Sequence, residues 1–133
     1  MPKVAIIIPC YNEELTIQAL LQALYEQEFL LRDLEVIIAD GMSSDGTRAA
    51  IAEFSNHHPG LAITVIDNPD RTIPAALNKA IRASTGEFIL RMDAHTWPCV
   101  DYISRSIAAL EEGLGDNVGG VCKMRPGNDD WIG

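Results

Sequence analysis

Long apolar runs are missing from this chain of 133 residues. The longest, such as Ala5 to Ile8, falls far short of a bilayer's thickness. No basic stretch followed by an apolar one opens the chain, so no secretory signal is read there and the segment is expected in the cytoplasm. Basic residues are scarce: 10 Lys and Arg stand against 19 Asp and Glu, a formal charge of −9. A field of that sign repels nucleic acid and offers no polybasic patch to anionic lipid. Membrane contact is therefore expected only through segments outside this sequence. Cysteine is sparse too. Cys10, Cys99 and Cys122 are widely spaced, match no zinc or redox pattern, and read as three free thiols of a reducing compartment. Repeats and low-complexity stretches are also missing.

The composition is that of a folded domain. Apolar residues make up 47% of the chain, and 133 residues suffice for one domain with a real core. Lys3 to Pro9 predicts a strand buried on both faces, because Val4 to Ile8 run without alternation. Asn12 is placed to cap the following helix, with Glu13 and Glu14 in its first turn. Ile17, Leu20, Leu21 and Leu24 form that helix's apolar face. Leu34 to Ala39 predicts a second strand ending at Asp40, followed by a loop over Gly41 to Asp45. Ile51 and Phe54 mark the inner side of a second helix. Leu61 to Ile66 predicts a third strand, closed by Asp67, Asn68 and Pro69. Pro74 suits the first turn of a third helix that carries Leu77, Ala80 and Ile81 inward. A fourth strand from Phe88 ends near Asp93, a fourth helix carries Ile103, Ile107 and Leu110, and Val118 to Met124 suggests a fifth strand. Gly113 to Gly120 reads as a loop. Strands alternating with helices predict an α/β domain with a mainly parallel sheet and helices on both faces. The ligand site of such a domain lies beyond the carboxyl ends of the strands.

Both common phosphate cradles are lacking. The first strand-to-helix turn, Cys10 to Glu14, is bulky and acidic where a dinucleotide fold needs glycines, and no GxxxxGK[ST] loop occurs. An acidic domain that binds a diphosphate then needs a divalent cation. Asp93 and His95, at i and i+2 of an extended segment, would project to one side and converge on an ion. The carboxylate suits Mg²⁺ or Mn²⁺, and the imidazole tilts the choice toward Mn²⁺. Spacing alone equally allows Asp93 to cap a turn and His95 to be a surface residue.

Four segments in order resemble the family 2 glycosyltransferases, which have the GT-A fold. They are Ile8-Pro9-Cys10-Tyr11-Asn12-Glu13-Glu14, Ile38 to Thr47 (IADGMSSDGT), Ala76-Leu77-Asn78-Lys79-Ala80, and Gly86 to His95 (GEFILRMDAH). The match runs from about residue 3 to 125, and the wording DGMSSDGT, RMDAHTWP and VGGV is similar to bacterial succinoglycan-type exopolysaccharide glucosyltransferases. The resemblance implies inverting, metal-dependent transfer from a nucleoside diphosphate sugar, a UDP-sugar in most members, to a saccharide or lipid-linked acceptor at the inner face of the membrane. It matches Asp40 to the carboxylate that hydrogen-bonds the base, Asp93 and His95 to the metal-binding D-x-D, and Pro9, Tyr11 and Glu13 to the loop around the nucleoside. Arg71 and Asn78 fall where the family approaches the base or diphosphate. Two departures stand out: Gly41 replaces the second Asp of the commoner Asp-Asp-Gly-Ser loop, and His95 replaces an Asp. The general base and acceptor site of this family are expected beyond Gly133, so residues 1–133 read as the nucleotide-sugar-binding part of a catalytic domain truncated at its C-terminus and inactive alone.

Other readings remain beside it. A sugar-nucleotide pyrophosphorylase would want a Gly-rich basic loop after the first strand, and a binding or regulatory domain would keep the fold without catalysis. Asp45 is read as a helix cap, Asp129 and Asp130 as solvated, and His57 and His58 as helix-end residues. Trp97 is read as packing beneath its loop.

Overall fold

Val4–Cys10 (β1) is the strand around which the rest is ordered, and six of its seven residues are apolar and buried. The computed structural model describes residues 4–111. Leu34–Asp40 (β2), Ala62–Asp67 (β3) and Phe88–Arg91 (β4) complete a four-stranded sheet in the order β3-β2-β1-β4, with every pairing parallel. The helices are Ile17–Tyr25 (α1), Thr47–His57 (α2), Ile73–Ala83 (α3) and Tyr102–Glu111 (α4), with a 3-10 turn at Leu31–Asp33. The expected α/β class, parallel sheet and covered faces are all present.

Alternate residues of the strands feed two separate cores, as the period of two requires. Val4, Ile6, Ile8, Leu34, Val36 and Ile38 pack with Ile17, Leu20, Leu21 and Leu24 of α1, Ile51 and Phe54 of α2, and Ile103 and Ile107 of α4. On the other face Ile7 and Ile37 meet Ala80, with Leu77 and Ile66 against them. Each Ile or Leu so buried contributes about 1.5–3 kcal/mol, so the first face carries most of the stabilisation. Thr72 caps α3 by accepting from the Ala75 N–H at 3.3 Å, and Pro74 sits in its first turn as expected. At the end of α2 the Nδ1 atoms of His57 and His58 meet the carbonyls of Glu53 and Phe54, and His58 stacks on Phe54 with ring centroids 3.9 Å apart.

Three local expectations fail. Asn12 does not cap α1, which starts at Ile17 after Thr16 and has no acidic residue in its first turn. Asn12 lies instead at φ 51°, and its side chain serves the neighbouring loop. Ile81 is 45% exposed rather than inward, because Ala76 and Ala80 set the buried row of α3. The strand bounds shift by one residue, since β1 runs through Cys10 and β3 through Asp67. The suggested fifth strand, the Gly113 to Gly120 loop, Cys122, Asp129 and Asp130 lie outside the described residues.

The order of connections places the site. The chain moves from β1 outward through β2 to β3, then returns to the other flank of β1 for β4. Neighbouring loops therefore leave the sheet in opposite directions at β1, and they open a crevice at its carboxyl edge.

Candidate functional site

The ladders continue past the strand ends and align the four loops. Gly41 N–H donates to the Cys10 carbonyl at 2.8 Å, Asn68 N–H to the Asp40 carbonyl at 2.8 Å, and Met92 N–H to the Ile7 carbonyl at 3.0 Å. A cleft of about 280 Å³ lies over this edge, lined in part by Pro9, Cys10, Tyr11 and Glu13 after β1, and by Gly41 after β2. Asn68, Arg71 and Thr72 after β3, and Arg91, Asp93 and His95 at the end of β4, add to its polar lining.

The β1 and β2 loops are latched together. Asn12 takes the left-handed backbone that its short amide tolerates. Its N–H donates to Ser43 Oγ at 2.8 Å, and its Oδ1 accepts from the N–H groups of Ser44 and Asp45 at 2.9 and 3.4 Å. Glu13 N–H donates to Thr47 Oγ1 at 2.8 Å. Asp45 accepts from the hydroxyl and the N–H of Thr47, which hold its carboxyl below the ordinary range, but it is not the cap of α2 that was expected: the N-cap is Gly46, with no side-chain bond.

Asp40 lies behind this latch rather than in the cleft. Its side chain is 0% exposed, and it is absent from the cleft lining. Oδ1 accepts from Ser43 Oγ at 2.5 Å, while Oδ2 accepts from Ser43 N–H at 3.0 Å and Arg48 Nε at 2.7 Å. Arg48 also reaches Asp67 Oδ1 at 2.7 Å, and the two carboxylates, Asp67 first, push its already high pKa further up. Asp40, expected to contact the base, holds its own loop in this structure. Asn78 is likewise displaced. It is exposed on α3 and does not line the cleft, because two residues' rotation from Ala76 turns it away from the sheet.

Tyr11 and Arg71 meet on the cleft's lining. The Arg71 guanidinium carbon stands 5.3 Å from the centre of the Tyr11 ring, within cation–π range. Arg71 sits at φ 61° in the turn where its N–H donates to the Asn68 carbonyl at 3.0 Å. Asp93 and His95 follow β4. They lie in a turn, with Thr96 N–H donating to the Asp93 carbonyl at 3.0 Å, and not in the extended segment that the spacing argument assumed. Both nevertheless line the cleft. Asp93 is paired with Arg91 at 3.2 Å, and His95 Nδ1 stands 3.7 Å from Glu13 Oε2.

This donor set fits an ion completed by substrate. Among the described residues no group of three or more His, Cys, Asp or Glu forms a ready cage. One carboxylate and one imidazole, both largely open to the cleft, leave coordination positions for phosphate oxygens and water, as Mg²⁺ and Mn²⁺ sites commonly do. Beneath them Cys10 is buried, and burial first, then Asp40, Glu13 and Asp45, push its thiol up to about 12. It is a neutral floor and no nucleophile.

Two residues of consequence were not singled out from sequence. Arg48 is the second residue of α2, and nothing in the linear pattern links it to Asp40. Asn68 was read only as strand punctuation. It is 2% exposed, it lines the cleft, and its Oδ1 has no hydrogen-bond partner.

Fold and site together define an α/β ligand-binding domain whose cleft combines an aromatic–arginine pair with a carboxylate and an imidazole able to hold a metal. The family model for "Glycosyl transferase family 2" matches residues 5–133. The chain belongs to that family and has its GT-A fold. It is 37% identical over 105 residues to the succinoglycan biosynthesis protein ExoA of Rhizobium meliloti, covering 77% of this chain and 31% of that protein. It is 31% identical over 108 residues to a Methanococcus voltae dolichyl N-acetyl-alpha-D-glucosaminyl phosphate 3-beta-D-2,3-diacetamido-2,3-dideoxy-beta-D-glucuronosyltransferase, covering 81% of this chain and 34% of that protein. Among solved structures it is similar to the mannosyltransferase PcManGT from Pyrobaculum calidifontis in complex with GDP-Man and Mn²⁺. That match has 37% identity and a TM-score of 0.75, over 80% of this chain and 31% of the other. The chain thus spans about a third of the length of these relatives. No helix among the described residues is long and apolar enough to cross a membrane.

Proposed function

We propose that this chain binds a nucleoside diphosphate sugar with a divalent cation, for inverting transfer of the sugar to a saccharide or lipid-linked acceptor at the inner face of the membrane. One observation carries the reading: a single cleft brings together Tyr11 and Arg71 with Asp93 and His95. That combination suits a ligand with a flat apolar head and a diphosphate tail.

Tyr11, with Pro9 beside it, packs the nucleoside, and Arg71 offers its charge to the ligand's ring or phosphates. Asp93 and His95 hold the cation, with Glu13 alongside to orient the imidazole. When bound, that ion neutralises the two phosphates and stabilises the departing nucleoside diphosphate as a Lewis acid. Arg91, 3.2 Å from Asp93 Oδ1, holds that carboxylate in place until the cation replaces it. The acceptor hydroxyl loses its proton to a general base as it attacks the anomeric carbon.

A UDP-sugar is the first donor reading. A GDP-sugar is the second, favoured by the GDP-Man held in the similar Pyrobaculum structure. Calorimetry with UDP and GDP, with and without Mn²⁺, tests the proposal. Binding that needs the metal and disappears in Asp93→Ala is the expected result; no binding of either diphosphate under any condition overturns it, leaving a domain that kept the fold alone.

A further inference from the structure

We infer that Gln27, just past the end of α1, positions His95 for the cation by clamping the far end of the loop that carries it. This rests on the donor-binding reading above and adds to it a residue outside the cleft. Residues 92–101 link β4 to α4, with Asp93 and His95 near their start. Gln27 is 6% exposed, an uncharged polar side chain set into the interior. It spends both branches of its amide on the loop's far end. Nε2 donates to the Cys99 carbonyl at 2.5 Å, and Oε1 accepts from the Ile103 N–H at 3.0 Å. A carbonyl can only accept and an N–H can only donate, so the amide has one orientation. The Ile103 N–H belongs to the first turn of α4, whose donors find no acceptor within their own helix. Beside the amide, Glu28 N–H donates to the Val100 carbonyl at 2.7 Å. Residues 27 and 28 are thus bonded to a segment more than 70 positions along the chain, with Gln27 itself reaching 72 and 76 positions.

The near end of the loop is fixed by other means. Met92 N–H donates to the Ile7 carbonyl at 3.0 Å, and Met92 and Ala94 are buried in the larger core. Asp93 therefore stands between two anchored neighbours. His95 is placed differently: its side chain is 70% exposed, and it opens the stretch that leads from Ala94 to the clamp at Cys99. Holding that far end narrows the positions the imidazole can take, while Asp93 is held by its own surroundings. An open clamp leaves a buried carbonyl and a buried N–H without the amide, so the closed state is favoured. Only the closed state presents His95 where Asp93 can share an ion with it, and affinity for the cation falls with the closed fraction.

The test is a double-mutant cycle. Mn²⁺ is titrated at saturating UDP or GDP into the unaltered protein, Gln27→Met, His95→Ala and the double variant. Methionine keeps the side chain's length and loses both bonds. Gln27→Met should weaken Mn²⁺ binding about three- to tenfold when His95 is present, and by less than about twofold beside His95→Ala. A merely structural role gives equal losses in both backgrounds. A second arm needs no Gln27 variant to fold. If the closed clamp favours the cation, the cation must favour the closed clamp by the same factor. Mn²⁺ with the diphosphate should slow hydrogen exchange across residues 99–103 about three- to tenfold in the unaltered protein, and leave it unchanged in His95→Ala. Unchanged Mn²⁺ affinity in folded Gln27→Met, equal losses in both backgrounds, or exchange indifferent to Mn²⁺ overturns the inference. Absence of any Mn²⁺-dependent diphosphate binding by the unaltered protein is a different result, which overturns the donor-binding reading and this inference with it.

Discussion

Arg48 Nε donates to Asp40 Oδ2 at 2.7 Å, joining the first turn of α2 to a carboxylate with no exposed surface at the end of β2. The partners are unequal, for the Arg48 side chain is 42% exposed. Removing the guanidinium leaves a buried charge with only Ser43 for company. Arg48→Ala is expected to destabilise the fold by about 1–3 kcal/mol, below the cost for a fully buried pair because water can partly replace the cation. Urea denaturation of the variant beside Asp40→Asn measures this, and Asp40→Asn should suppress much of the Arg48→Ala effect.

Asp93→Ala should abolish metal-dependent nucleotide binding while leaving thermal stability within about 0.5 kcal/mol, since the side chain is half exposed and bonded only to Arg91 and its own turn. His95→Ala should weaken the metal response without removing it. Titration of Mn²⁺ against protein at saturating UDP or GDP distinguishes the two variants. Equal affinity in Asp93→Ala and the unaltered protein would count against the metal assignment.

Tyr11→Ala removes the ring beneath Arg71. A loss of about 1–3 kcal/mol in nucleotide affinity is expected, combining the lost stacking surface and the freed arginine. Tyr11→Phe should retain most of it, because the arginine contact is made with the ring. Measured dissociation constants for the three proteins check the order.

Cys10 should resist alkylation. With its thiol pushed up to about 12 and the side chain buried, iodoacetamide at pH 8.5 should modify it far more slowly than the unfolded chain, by about a hundredfold or more. The sign follows from the raised value: the folded state holds this proton more tightly. The associated stability is complete below the ordinary thiol range and is lost as pH climbs from there toward 12. Peptide mapping after timed alkylation reads the rate.

Two glycines should respond oppositely to alanine. At Gly86 a Cβ would fall 2.7 Å from the Ala5 backbone nitrogen, inside β1, so Gly86→Ala should cost about 1–3 kcal/mol or more. At Gly46 the near atom is the far end of Glu14, which can swing away, and the variant should fold normally. Paired melting curves decide.

How legible this molecule was in its sequence depends on which interactions are local. Val4 to Ile8 announced a strand buried on two sides because burial leaves an unbroken apolar run. Asp93 and His95 were found because they follow the fourth such run, though their turn was mistaken for extended chain. Asn12 was misread because its amide bonds across to residues 44 and 45, an arrangement that looks like a helix cap from one side only. Asn78 was placed at the site by resemblance, yet helix phase carries it outward. Arg48 and Asn68 could not be ranked without coordinates, for the burial of Asp40 and of the Asn68 amide is a product of packing between segments distant along the chain.

The latch of Asn12 against Ser43 and Ser44 has a consequence for engineering donor preference. A chimera that imports the β1 loop from a relative, leaving the β2 loop behind, severs bonds that hold both. The two segments are one cassette in space although 31 residues separate their latch points in sequence. Productive swaps must exchange them together, and single-loop transplants should fail even between close kin.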